Sequence, residues 1–419
     1  MVQQTENNRL LPPLRVLDLS DEKGFLCGKM LGDMGADVIK IENPGGDPSR
    51  KTGPFYHDVP DPEKSLSWFA YNSNKKGITL DIATSEGQGI FKKLLGGGDI
   101  LIESSRPGYM DRLGLGYSDC RKINPRLIMV SITPFGQTGP YRDFESCDLV
   151  CMAISGFMYV CGDEDRPPVR AIAPQAYLNA GAQGAVGAMM AYYYRERSGE
   201  GQHVDISIQE SLLSTATPAI SYWALEGFRV KRYGSFRVLD RGGVARVVWP
   251  CKDGYINCLI IGGVTGARTN KPLTQWMDEE GMLPDFMREI DWDSFDLITV
   301  SREQMSLLEE HVGRFFMKHT KADLYGWAVE KRAMLYPVSD SRDLLENEQL
   351  RARNFWAAVE HPELGETITY PGAWATSSEC RFDVRLRAPL IGEHNQEIYE
   401  KELGMTKEEM NRLKQSGVI

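Results

Sequence analysis

The sequence predicts an α/β protein: a large domain on a mostly parallel sheet, with a smaller α+β domain. Three observations carry this. Short apolar runs alternate with amphipathic stretches of about ten residues through the first third of the chain. Glycines close several of those stretches, and beyond Tyr222 the composition shifts toward Trp, Met and acidic residues. Strands separated by single helices need crossover connections, which implies a mostly parallel, Rossmann-like sheet.

Arg15–Leu19 reads as the first strand, Lys23–Met34 as a helix closed by Gly35, and Asp37–Ile41 as the next strand. Gly77–Ile82 starts a second cycle. Ser85 with Gln88 forms a capping box for a helix to Leu95, Gly96–Gly98 stops it, and Asp99–Glu103 follows as a strand. A short helix at Ser118–Ile123 leads into the strand Leu127–Ile132. Gly181, Gly184, Gly187, Ala188 and Ala191 share one face of a long helix ending near Arg197, so another backbone can come close to it. Gly199–Gly201 ends that helix, and Val204, Ile206 and Ile208 alternate as a strand. Ser301–Lys331 has helical periodicity, and Glu393–Lys414 is an amphipathic helical tail. The expected division begins with a large domain over residues 1–220. A small domain spans 225–340, and an extended return linker spans 341–389.

Composition narrows the partners. At 419 residues, 42% hydrophobic and 25% charged, the chain has the profile of a globular protein of two or three domains. Its net charge of -10 opposes nucleic acid or an anionic membrane as the main partner, so any anion site must be local. The start, Met1–Pro13, lacks a signal-peptide pattern, and the least polar stretch, Gly181–Tyr194, is too short to span a bilayer. A cytoplasmic protein is expected. The eight cysteines contain no CxxC pair and read as free thiols. Cys147 and Cys151 stand one helical turn apart, but two thiols alone do not make a zinc site. The six histidines are scattered, so no metal is expected.

Ligands of parallel sheets gather beyond the carboxyl ends of the strands. Those ends are Ser20, Glu42–Asn43, Ser104–Arg106 and Thr133–Gly136. No GxGxxG follows the first strand. Gly24, Gly28 and Gly32 instead recur every four residues as a close-packing ridge, which removes support for a nicotinamide dinucleotide.

The blocks Arg15–Leu19, Gly35–Glu42 with Gly46–Asp47, Asn74–Asp81, Ile102–Gly108 and Arg112–Tyr117 together resemble the class III CoA-transferase family, which includes formyl-CoA and carnitine CoA-transferases and α-methylacyl-CoA racemases. Asn124–Ile128, Ser131–Gly136, Gly139–Tyr141, Arg195–Asp205 and Arg387–His394 continue the match, so that it covers nearly the whole chain. The resemblance implies a large domain made from both chain ends, with 390–419 completing 1–220, two ring-like protomers threaded through each other, and coenzyme A, or an acyl-CoA, as substrate rather than a covalently bound cofactor. It also implies CoA contacts at Ile78, Thr79, Leu80, Asp81, Ser104, Ser105, Arg106, Arg112, Thr133, Pro134, Phe135 and Gly136. Lys75, Lys76, Arg106 and Arg112 are the local cations expected for its phosphates, while Asn43 stands where the family often has a basic residue.

The family's nucleophilic aspartate opens an Asp-x-x-x-Gly turn, which here reads Tyr177–Gly181. A carboxylate, ionised at neutral pH, attacks a thioester to give an anhydride that CoA thiolate reopens. A phenol with a pKa near 10 is only about one part in a thousand ionised at pH 7, and its ester is a poorer relay. The racemase histidine is replaced by Cys147, which removes the acid–base pair for racemisation. The chain is therefore expected to be a non-catalytic subunit of a heteromeric transferase. The resemblance implies that a homologous partner supplies the aspartate and that dicarboxylic acids accept CoA, (R)-2-benzylsuccinate in anaerobic toluene breakdown foremost. The alternatives are a self-sufficient transferase using Asp148, Asp165 or Glu210, and a CoA-binding regulator or scaffold.

Overall fold

The computed structural model describes residues 10–11, 14–238 and 244–419. Most of the polar start lies outside them. Six parallel strands form the main sheet: β1 (Arg15–Asp18), β2 (Asp37–Glu42), β3 (Lys75–Thr79), β4 (Ile100–Glu103), β5 (Ile128–Thr133) and β6 (His203–Ser207). Their order is β3-β2-β1-β4-β5-β6, with Leu17 opposite both Ile39 and Leu101, and Ile132 opposite Ile206. This is the doubly wound order, in which the order of strand addition reverses between β1 and β4 while every strand stays parallel.

Period-two alternation sends the strand side chains into two separate cores. On one face Val16, Val38, Ile102, Val130 and Ile132 pack with Cys27 and Leu31 of α1 (Phe25–Asp33). On the other, Leu17, Ile39, Ile78, Leu101 and Met129 meet Ile90, Phe91 and Leu94 of α3 (Ser85–Gly96), which follows α2 (Leu66–Asn72) in the chain. Each fully buried aliphatic side chain contributes about 1.5–3 kcal/mol.

The glycine ridge of α1 has a more specific reason than helix packing. Asp18 and Lys75 are both fully buried and form an ion pair of 2.8 Å beneath the helix. A Cβ at Gly28 would press on the Asp18 carboxylate and come within 3.1 Å of Lys75 Nζ.

Several boundaries differ from expectation. Thr84, not Ser85, caps α3, its Oγ1 accepting the Gly87 N–H at 3.0 Å, and the helix runs through Gly96. β3 starts at Lys75, and Ile208 opens a helix instead of ending β6. Ser301–Lys331 is two helices, Arg302–Phe316 and Lys321–Lys331, because Thr320 caps a new one. The tail divides into Gln396–Glu402 and Lys407–Gln415.

The chain divides into two compact units. The first comprises residues up to Met158, Arg170–Glu226 and Gln349–Ile419; the second comprises Tyr159–Val169 and Gly227–Glu348. The second unit is α+β: strands Val248–Cys251, Gly254–Cys258 and Leu335–Pro337 form an antiparallel sheet over a core including Trp249, Phe315 and Phe316. The expected linker 341–389 needs correction from Gln349 onward. There the hairpin Trp356–His361 and Glu366–Pro371 puts Val359 and Tyr370 into a core with Phe25, Trp68 and Phe69 of the first unit.

β3 is an edge strand, yet the outward backbone groups of Gly77 and Thr79 are satisfied. Gly77 N–H donates to His394 Nδ1 (3.1 Å) and its carbonyl accepts from His394 N (2.9 Å). Thr79 N–H donates to Asn395 Oδ1 (2.9 Å), and Tyr399 Oη donates to the Thr79 carbonyl (2.6 Å).

Candidate functional site

Continuing in chain order, α4 (Tyr109–Arg112) and α5 (Tyr117–Ile123) precede β5. α6 (Asp148–Ile154), α7 (Gln175–Ser198) and α8 (Ile208–Leu213) follow it. Small residues let α7 lie close on α1: at Gly184 a Cβ would stand 3.2 Å from Cys27 Sγ. Its first turn carries Tyr177, and Gly199, at φ +78°, ends it.

That first turn borders a cavity of about 550 Å³, lined by Glu22, Phe25, Trp68, Tyr71, Cys147, Asp148, Arg170 and Tyr177 among others. Asp148 Oδ1 accepts the Tyr177 N–H at 3.1 Å, so a carboxylate sits at the positive end of a 24-residue helix. Burial nevertheless raises the Asp148 pKa, against the opposing pull of the Tyr177 and Ala176 amides and Arg170. Glu22 is also raised, by burial and then by Asp21. Tyr177 is only 7% exposed; burial and the neighbouring carboxylates push its phenol far above the ordinary value. The hydroxyl stays protonated through the physiological range and supplies no phenolate.

A second cavity, of about 280 Å³, is built at the ends of β4 and β5. Lys23, Ser104, Ser105, Arg106, Arg112, Pro134 and Arg142 line it together with Asp143 and Glu145. Ser104 Oγ donates to Asp21 Oδ1 and accepts the Asp21 N–H, both at 2.8 Å. The buried Glu103 holds the adjoining turn through the Ser105 N–H at 2.8 Å, and burial raises its pKa. Arg106 is ion-paired with Glu145, and the Arg112 guanidinium lies 5.8 Å from the Tyr109 ring. Asp205 Oδ2 accepts the Gln137 N–H at 2.9 Å, beside Gly136 at φ +83°.

The structure brings together five of the twelve expected contact residues: Ser104, Ser105, Arg106, Arg112 and Pro134. Phe135 packs edge-on against Phe144, while Thr133 is fully buried. Ile78, Thr79, Leu80 and Asp81 line neither cavity. Ile78 and Leu80 belong to the core, and Asp81 N–H donates to the Val418 carbonyl at 2.8 Å. Lys75 and Lys76 begin β3 rather than end it. Lys75 Nζ donates to Asp18, to the Phe25 carbonyl and to Asn72, while Lys76 pairs with Asp37 and Glu397. Neither lines the cation-rich cavity. Of the alternative carboxylates, Asp148 lines the larger cavity; Asp165, in the second unit, and Glu210, on α8, are exposed.

Sequence reading missed Lys23, Arg142, Glu145, Glu22 and Arg170. Lys23 and Arg142 follow shortly after strand ends, and Arg170 shortly precedes the helix bearing Tyr177; that position was the available signal. Among the described residues, no group of three or more His, Cys, Asp or Glu is placed to hold a metal, and no helix is long and apolar enough to cross a membrane.

Comparison with known proteins finds relatives over nearly the whole chain. The family model of CoA-transferase family III matches residues 11–395. The subunit BbsE of succinyl-CoA:(R)-benzylsuccinate CoA-transferase from Thauera aromatica is 37% identical over 418 residues, covering 97% of each chain. The beta subunit of succinyl-CoA–L-malate CoA-transferase from Chloroflexus aurantiacus is 30% identical, covering 98% of each. Among solved structures, a CAIB/BAIF family protein from Brucella suis superposes with a TM-score of 0.82 at 25% identity, covering 94% of this chain and all of that one.

Proposed function

We propose, on the premise that this chain belongs to CoA-transferase family III, that it is the non-nucleophilic subunit of a heteromeric CoA-transferase. The observation that carries this is Tyr177: a buried phenol, held protonated, in the first turn of α7. It cannot form the anhydride on which transfer between acids depends. A homologous partner bearing aspartate at this position supplies the nucleophile, and this chain supplies the companion fold. The heteromeric names of two relatives support such a pairing. The apolar groove between Met30, Met34, Val186, Met190, Tyr193 and Trp374, where Met190 is 69% exposed, supports a covered face.

The acceptor acid proposed is (R)-2-benzylsuccinate, with succinyl-CoA as donor, in anaerobic toluene degradation. The BbsE likeness supports it, as does a cavity that sets Phe25, Trp68, Tyr71 and Tyr177 near the Arg170 cation. CoA is the shared substrate, its phosphates directed to Ser104, Ser105, Arg106 and Arg112. Purification alone and with a co-expressed aspartate-bearing homologue tests the reading: transfer from succinyl-CoA to (R)-2-benzylsuccinate is expected only from the pair. Full activity of this chain alone overturns it.

A second reading, a self-sufficient transferase, is favoured by Asp148 at the same helix terminus. Asp148→Asn in the isolated chain separates the two, since activity that disappears with this change belongs to the second.

A further inference from the structure

We propose that Glu145 is a built-in competitor at the anion site, its carboxylate engaging the Arg106 guanidinium that a CoA phosphate would meet. This deepens the CoA-transferase reading and rests on it.

The cavity at the ends of β4 and β5 gathers the cations Lys23, Arg106, Arg112 and Arg142 around two serine hydroxyls, a donor set suited to phosphate. The same wall carries two anions. Glu145 is ion-paired with Arg106, and Arg142 Nε donates to Asp143 Oδ1 at 3.3 Å. Both carboxylates come from the segment joining β5 to α6, which is pinned to the cavity rim. Tyr141 stacks on Phe144 at 4.9 Å, and Phe135, just past the strand end, meets them edge-on at 5.9 and 6.4 Å.

The Arg106 and Glu145 side chains are each 75% exposed. An ion pair so wet adds little to stability, but it exchanges readily. A ligand with several phosphate charges must displace the carboxylate and then bear its repulsion, so the apparent affinity of this subunit falls below what its arginines alone would give.

Calorimetric titration of the full chain tests this, with wild type and Glu145→Gln each measured against coenzyme A and inorganic pyrophosphate at low salt. Glu145→Gln should bind both about two- to fivefold more tightly, the worth of one exposed ion pair. The gain should vanish when Arg106→Gln is added. Equal affinities in the two forms, with CoA bound by both, overturn the competitor and leave the CoA reading standing. Tighter pyrophosphate binding with no CoA binding supports the competitor and overturns the CoA reading. Binding of neither ligand by either form overturns both.

Discussion

Tyr177→Phe removes one oxygen from a side chain that is 7% exposed and packed in the core beside Ala176, Ala180 and Cys151. Ring volume is unchanged, so the packing around α1 and α7 stays filled. At most one hydrogen bond is lost, worth about 0.5–1.5 kcal/mol, which sets a ceiling of about tenfold on any rate effect. Because burial holds the phenol protonated, it is a poor nucleophile, and the expected change in CoA transfer by the assembled enzyme is under about threefold. Loss of a true covalent nucleophile costs about 10⁴- to 10⁶-fold, so the two outcomes are well separated. The assay is the initial rate from succinyl-CoA, with size-exclusion chromatography confirming that the subunits still associate. A loss above about a thousandfold with assembly intact refutes the non-nucleophilic assignment.

Tyr177→Asp places a third carboxyl group beside Asp148 and Glu22, both already raised by burial; any transfer it confers should increase with pH through neutrality, and a flat pH profile contradicts this. The same variant should lose about 3–5 kcal/mol of stability to denaturant, as other buried aromatic truncations do. Asp18→Asn leaves Lys75 buried without its counter-charge and should cost about 3–5 kcal/mol in urea unfolding; a loss under about 1 kcal/mol contradicts the ion-pair role. His394 gives the pH dependence. Burial lowers its pKa despite the pull of Glu393 and Glu397, and its Nδ1 accepts the Gly77 N–H only when unprotonated. Stability from this contact is therefore full above pH ~6.5 and lost as pH falls through the lower folded value, by about 1 kcal/mol, and His394→Gln should flatten that slope in acid titrations followed by circular dichroism.

The sheet was legible because apolar strands buried on both faces leave continuous Val, Ile and Leu runs, and because Gly35 and Gly199 close the intervening helices with backbone only glycine adopts cheaply. Tyr177 was legible because a helix start keeps its spacing to the glycines that follow. The cation assignments at Lys75 and Lys76 failed for a definite reason. The strand begins two residues earlier than Gly77, which bears no side chain to mark the alternation, so both lysines start β3. The Lys75 ammonium is then consumed by Asp18, the Phe25 carbonyl and Asn72, and Lys76 by Asp37 and Glu397. Nothing in the sequence marks Lys75 as already paired, since only the fold brings Asp18, 57 positions away, to its ammonium. Arg142 and Glu145 lie in an irregular segment, where no period tells which side chains converge. The capping misassignment, Ser85 for Thr84, came from neighbouring hydroxyl residues competing for one role.

The strap of His394, Asn395 and Tyr399 along β3 also bears on biosynthesis. The open flank of a sheet assembled from the first half of the chain is sealed by residues 316 to 320 positions later in the sequence. Until then, the nascent protein displays the unpaired donors and acceptors of Gly77 and Thr79, the kind of surface that recruits a foreign strand. The Val418 carbonyl, later still in the sequence, accepts the Asp81 N–H just beyond the strand. Loss of the strap, or translation that stalls before it, therefore exposes a strand made far earlier, and soluble yield, rather than catalysis, is the property altered first.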